Sequence, residues 1–260
     1  MKITARINTL NEEHNIVAAL ESLAWADEIM VVDSWSKDRT AELARKHGAK
    51  VYQHDFLSHG EQHNYADTLA SHDWLFVLDA DERVTPELRA SIEKIRREGP
   101  KSSGYRFARR ARFMGRWIEH GGWYPDYQTR LYDRRATQWG GDPPHEEPKV
   151  DGPVEIIAGE LLHYTKRSLK ESLDTLNYFT TLASQDRFRR GRPAASYFKL
   201  LLVPPVIFLR SYVWKRGFLD GLPGLVISWL AAFYVFAREA KLREHHLMEA
   251  RSPNVSEKTR

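Results

Sequence analysis

Two kinds of apolar pattern alternate along the first hundred residues. Ile3 to Thr9 is a short mixed run that suits a strand, and apolar runs of strand length lie at Glu28 to Val32, Val51-Tyr52 and Trp74 to Leu78. Between them, apolar residues recur at helical spacing, as with Ile16, Leu20 and Leu23. Asn11 offers an N-cap to that first helix, and Glu12 and Glu13 place negative charge on its opening turn. A second helix is expected over Asp38 to His47, with Gly48 just past its end, and a third over Glu61 to Ala70. Thr85-Pro86-Glu87 joins cap, first-turn proline and acid, so a fourth helix starts there. Strands and helices in this order imply right-handed crossovers and a parallel sheet.

The pattern changes near the C-terminus. Ser196 to Trp214 is apolar apart from Lys199, Arg210 and the Pro204-Pro205 break, and Gly217 to Phe236 is apolar apart from Asp220. A spanning helix needs about 20 mainly apolar residues. The second stretch approaches that length only by counting Asp220, Gly221, Pro223 and Gly224, which disfavour an uninterrupted helix, and Leu225 to Ala237 alone is too short. Lys215, Arg216, Arg238, Lys241 and Arg243, with Trp and Tyr among them, suit amphipathic helices lying on a membrane surface, peripheral or monotopic. Core helices or a dimer interface are the alternatives. The division expected is an α/β domain over 1–165, a helical membrane-associating region over 166–250 and a disordered tail over 251–260.

Composition narrows the chemistry. Among 260 residues there is no Cys, which excludes a disulfide framework, Cys-ligated zinc and thiol catalysis and fits a reducing compartment. The N-terminus, MKITARINTLNEE, lacks the apolar core of a secretory signal. Lys and Arg exceed Asp and Glu by 39 to 35, a mild basic excess that suits a nucleotide, an anionic membrane or a phosphorylated acceptor alike. RFRRGR at 187–192 is too short and too poor in stacking aromatics for nucleic acid.

In open sheets of this kind ligands bind beyond the carboxyl ends of the strands. Asp33 and Asp79 end two strands at that edge. In Leu78-Asp79-Ala80-Asp81-Glu82, residues two apart point the same way from an extended strand end, so Asp79 and Asp81 converge on one volume. Two like charges that close call for a cation, and Mg²⁺ or Mn²⁺ takes hard oxygen ligands while keeping positions for a diphosphate. The alternative is a solvated acidic turn, and for Asp33 a cap on the turn at Ser34 to Asp38.

Three motifs in order carry a resemblance. Thr9-Leu10-Asn11-Glu12 with Asn15-Ile16, Val31 to Thr40 (VVDSWSKDRT) and Leu78 to Glu82 (LDADE) are similar to motifs of the family 2 glycosyltransferases. The resemblance implies a GT-A, Rossmann-like nucleotide-diphosphate-sugar domain. It implies that Asp33 accepts the N3–H of a uracil-type base and that Asn8 to Glu12, Leu10 included, line base and ribose. Gln62, Ala80 and Arg130 join them on the donor, with Asp81 as the direct metal ligand and Asp79 toward the ribose or the metal's waters. Trp35 stands where the family more often has a small residue.

Gly121 to Arg135 (GGWYPDYQTRLYDRR), Pro144-His145-Glu146 and Leu162-His163 resemble a subgroup that builds the inner core of lipopolysaccharide, heptose-directed glucosyltransferases among them. Asp126 falls where the family carries its catalytic carboxylate, although Pro125 replaces the usual Glu. Direct displacement at an anomeric carbon needs one general base, so Asp126 is expected to take the acceptor's proton, with Glu146 as competitor. Arg130 is expected to pair with a phosphate oxygen and Gly121-Gly122 to let a loop approach the donor. The function implied is inverting transfer from a UDP-sugar to a lipid-linked saccharide at the cytoplasmic face of the inner membrane. Transfer to a polyprenyl phosphate and a non-catalytic membrane-binding module are the rivals. A nucleotidyltransferase would carry a Gly-rich phosphate loop near its N-terminus, and there is none.

Overall fold

A computed structural model describes residues 1–141, 146–165 and 168–251. The chain forms two compact units, Met1–Ala111 with Pro125–Thr165, and Arg112–Tyr124 with Lys166–Arg260. The segment 112–124, inside the α/β domain on sequence grounds, therefore belongs with the C-terminal helices.

The first unit opens with β1 (Ile3–Thr9), α1 (Ile16–Ser22), β2 (Glu28–Asp33), α2 (Thr40–Lys46), β3 (Lys50–Gln53), α3 (His59–Leu69), β4 (Trp74–Asp79), β5 (Glu82–Val84) and α4 (Pro86–Glu98). It continues through β6 (Gly104–Phe113), β8 (Asp126–Asp133), β9 (Thr137–Gly140), β10 (Glu147–Val150) and β11 (Val154–Tyr164), with β7 (Arg116–Trp117) in the intervening segment. Strand order is β3-β2-β1-β4-β8-β6-β11-β5, parallel as far as β4 and antiparallel from β4 to β8 to β6 and from β11 to β5.

Alternation along the central strands sorts side chains onto the two faces. Ile3, Ala5, Ile7, Phe76 and Leu78 pack with Ile16, Leu20, Leu88 and Ile92 on one face. Met30, Val32, Leu75 and Val77 pack with Ala66, Tyr132 and Trp139 on the other. Arg6 shares the second face and is fully buried there.

Two helix starts differ from the sequence pattern. Asn11 does not cap α1: it sits at φ 55° and its Oδ1 accepts from Lys37 N at 2.8 Å, while Asn15 occupies the N-cap position. Asn tolerates the left-handed region, so a turn wins over a cap here. Asp38 lies before α2 and accepts from Thr40 N at 2.9 Å. Thr85 caps α4 as expected, accepting from Leu88 N at 3.3 Å.

The second unit contains α5 (Leu169–Arg189), α6 (Tyr197–Leu209) and α7 (Gly221–Arg251), with a π turn at Arg210–Trp214 and a 3₁₀ turn at Gly217–Asp220. Contrary to the sequence expectation, Pro223 and Gly224 do not interrupt α7; they fall in its first turn, where the missing proline N–H costs nothing. Gly224 lies so close to the Gly217 carbonyl that a Cβ would stand 1.9 Å from it. Buried Asp220 accepts from the backbone N–H of His120 at 2.8 Å and of Glu119 at 3.3 Å, which ties segment 112–124 to the helices.

Candidate active site

The parallel strands deliver the site residues to one edge. In register, Thr9 lies beside Asp33 and Asn8 beside Asp79. With strands about 4.8 Å apart, Asp33 and Asp79 stand on the order of 10 Å from each other across β1.

Beyond β4 a mixed-charge cluster forms. Arg130 Nη2 contacts Asp79 Oδ2 at 2.6 Å and Glu82 Oε1 at 3.7 Å. Glu82 is wholly buried and also accepts from the Asp79 N–H at 3.1 Å. Arg109 on β6 spans the rest: Nη1 donates to Glu82 at 3.2 Å, while Nε and Nη2 donate to Asp126 Oδ2 at 2.9 and 2.7 Å. Gln128 donates to the other Asp126 oxygen at 2.8 Å. Burial opposes ionisation of Asp79, yet the charges of Arg130 and Arg109 prevail and hold its carboxyl below the usual range. Burial and repulsion from Asp79 push Glu82 upward. Asp126 keeps 39% of its side chain accessible and Asp79 38%, so both aimed carboxylates stay open to a ligand.

Asp81 makes no ion pair with Arg109 or Arg130. Its Oδ2 lies 3.1 Å from His163 Nε2, and its carbonyl accepts from Tyr164 N at 2.8 Å, an alignment set by β11 pairing with β5. Asp81 and Asp79 offer oxygens and His163 a ring nitrogen, and no cluster of three or more metal-ligating side chains forms among the described residues. A site with few protein ligands suits Mg²⁺ or Mn²⁺, which keep waters and share substrate phosphates. Asp81 beside His163 would leave such an ion most of its positions for waters and phosphates.

Behind the edge lies a buried polar network. Arg6 Nε is 2.6 Å from Asp67 Oδ1, Nη2 donates to Tyr132 Oη at 2.8 Å, and Nη1 meets His63 Nδ1 at 2.6 Å. Arginine only donates, so Nδ1 accepts and the proton of His63 resides on Nε2. Burial and the charge of Arg6 keep His63 neutral, its pKa well below the usual histidine value. Its ring stacks on Trp139 with centroids 3.7 Å apart. Asn8 Nδ2 also faces His63 Nδ1, at 3.2 Å, which turns Asn8 Oδ1 away, buried and without a protein partner.

The remaining expected residues divide. Asp33 is buried and accepts from Ser36 N at 3.1 Å and from Ser36 Oγ, so it does cap the turn. Gln62 is buried between Ser34 Oγ at 3.0 Å and His54 Nδ1 at 2.9 Å. Glu12 accepts from Asn15 Nδ2 at 2.7 Å; Leu10 is half exposed, and Ala80 is buried. Trp35 is exposed at φ 62° with its indole N–H on Asp55 at 2.6 Å. Glu146 is not bonded to Asp126; its Oε1 accepts from Ser58 Oγ at 2.9 Å at the start of α3. His145 lies outside the described residues. Arg130 is spent on Asp79, and Gly121 and Gly122 lie in the second unit against Ser211 and Lys215. Sequence reasoning assigned no role to Arg109, Glu82, Arg6 or His63. The one signal was charge inside apolar runs, as in ITARINT and GYRFARRARF.

The model of the family described as Glycosyl transferase family 2 matches residues 5–146. The chain is 29% identical to "Lipopolysaccharide core biosynthesis glycosyltransferase LpsC" of Rhizobium meliloti (strain 1021), over 99% of this chain and 97% of that protein. It is also 29% identical to an "Uncharacterized glycosyltransferase" of Rickettsia felis, over 98% and 93%. Among solved structures it resembles S. aureus TarS 1-349 in complex with UDP-GlcNAc, with a TM-score of 0.50 and 14% identity, covering 96% of this chain and 92% of that one. The last likeness bears on the fold alone.

Proposed function

We propose, from the premise that this chain belongs to glycosyltransferase family 2, that it transfers a sugar from a UDP-sugar to a lipid-linked saccharide, with inversion at the anomeric carbon. The observation that carries this reading is the row of carboxylates at one sheet edge, Asp79 and Asp126 each aimed by an arginine and Asp81 left beside His163. The full-length relationship to a lipopolysaccharide core transferase supports the acceptor class, the heptose region of the core among its candidates.

In this mechanism Asp33 accepts the uracil N3–H and Asn8, beside Asp79 in register, lines the nucleoside. Leu10, Glu12, Gln62 and Ala80 line that end of the donor site. Asp81, with His163 beside it, would hold Mg²⁺ or Mn²⁺ with Asp79 toward the ion's waters, and the ion when bound would neutralise charge on the departing diphosphate. Arg130 orients Asp79. The acceptor hydroxyl oxygen forms a bond to the anomeric carbon while the bond to the diphosphate oxygen breaks and its electron pair leaves with UDP. Asp126 takes the hydroxyl proton, presented by Arg109 and Gln128 on its two oxygens. The helical unit rests on the cytoplasmic face of the inner membrane, where lipid-linked acceptors reside.

The test is transfer from radiolabelled UDP-sugars to lipid-linked core saccharide, with the anomeric configuration of the product read by NMR. Product of inverted configuration, made only with Mg²⁺ or Mn²⁺ present, is the expected outcome. Retained configuration would remove Asp126 from the role of base.

A further inference from the structure

The charges of this chain are segregated. Residues 187–219 hold eight Lys and Arg and no Asp or Glu, which leaves 31 basic against 35 acidic residues in the remainder, a net −4. Three of the eight are engaged: Arg187 and Lys199 on buried Glu239 at 2.6 and 2.9 Å, and Arg190 on Asp186 at 2.9 Å. Arg189, Arg192, Arg210, Lys215 and Arg216 are exposed, and none of them forms an ion pair with a described residue.

The same stretch exposes its apolar side chains. On α6 and the turn after it, Tyr197, Phe198, Leu201, Leu202, Val206 and Trp214 are between 60% and 83% accessible. On α7, Leu222, Trp229, Phe233 and Phe236 recur at helical spacing and are also exposed. The two helices pack on each other through Phe208 and Trp229, whose rings lie 4.7 Å apart, and through the Ser211–Ser228 hydrogen bond of 3.0 Å. Among the described residues, their outward stripes are therefore left without a protein partner. Soluble monomers rarely expose so extended an apolar patch without using it.

We propose that this face binds a bilayer surface carrying anionic phospholipid headgroups, with α6 lying in the plane of the headgroups; this rests on the reading that the helical unit meets the membrane. Charge decides between lipid and a second copy of the chain. Pairing two copies through this face would bring two clusters of unpaired cations together, whereas an anionic surface complements them. For α6, geometry favours lying over crossing. Tyr197–Trp214 spans 18 residues, about 27 Å of helix at ~1.5 Å per residue, short of a ~30 Å hydrocarbon core. Exposed Arg210 would sit well inside that core if the segment crossed, and the Tyr197 and Trp214 rings at its ends are the side chains favoured at headgroup depth.

The test is co-flotation of the full chain with vesicles of phosphatidylcholine alone or with one-third phosphatidylglycerol, at low and high salt. Near the surface each cation is worth on the order of fivefold in affinity. Binding should require phosphatidylglycerol, fall with salt, and weaken at least tenfold in the exposed double variant Arg189→Gln/Arg192→Gln. That variant should keep its wild-type melting temperature, since neither side chain holds an ion pair. Equal binding to both vesicle types would overturn the anionic-lipid proposal and leave the membrane reading standing. No binding to either, with reversible dimerisation in sedimentation, would overturn both and assign the face to a second copy.

Discussion

The two units solve opposite problems with the same residue types. In the α/β unit, apolar side chains fill two closed layers and arginines are turned inward to meet carboxylates: Arg6 on Asp67, Arg130 on Asp79, Arg109 on Asp126. In the helical unit, the apolar side chains of α6 face outward and most of the cations beside them are unpaired. Buried charge is costly and is tolerated where it fixes geometry, so the first unit spends its arginines on holding carboxylates in place. The second keeps its cations in water, where they remain free to meet a surface of opposite sign. Identical residue types thus report preorganisation in one place and recognition in the other.

The largest effect expected is on catalysis. Asp126→Asn should lower turnover by about 10²–10⁴-fold, the usual contribution of a general base, with UDP affinity unchanged. Arg109→Lys keeps the charge but loses the paired N–H groups on Asp126 Oδ2, so turnover should fall more than KM rises. Near-normal turnover in Asp126→Asn would shift the role to Glu146.

Next come matched truncations in the two units. Leu75→Ala, in a closed layer, should cost about 2–5 kcal/mol in denaturant unfolding, while Leu201→Ala on α6 should stay within ~0.5 kcal/mol. Similar losses at both sites would mean that the α6 face is covered by protein.

A smaller effect follows from Glu28, at the opposite end of β2 from Asp33. Burial raises its carboxyl, but hydrogen bonds from Lys50, Ser71 and Thr4 outweigh it and leave the folded value at about 2, against 4.5 for the free group. A depressed folded value means stability that is complete above pH 4.5 and drains away as pH falls toward 2. The loss should be ~3 kcal/mol at most, and Glu28→Gln should flatten that limb of the acid unfolding curve.

Much of this was legible in the sequence. Strands β2 and β4 are largely apolar runs, β1 is a mixed one, and Thr85-Pro86-Glu87 announced α4. Asp33, Asp79, Asp81 and Asp126 stood out because each follows or opens a strand within a compact motif. The antiparallel half of the sheet was harder to read, since β6 carries Arg at four of its ten positions and looks solvated. For the same reason Arg109 and Arg6 escaped notice. Their partners lie 17 residues and more along the chain, and only the fold shows which charges face inward. Asn11 misled through its dual aptitude for caps and left-handed turns.

The central claim, a UDP-sugar site built on Asp81, is tested most directly by calorimetric titration of UDP into wild type and Asp81→Asn, with and without Mn²⁺. Binding to wild type that depends on Mn²⁺ and disappears in the variant is the predicted result. Binding of equal strength in both proteins, whether or not Mn²⁺ is present, would contradict it.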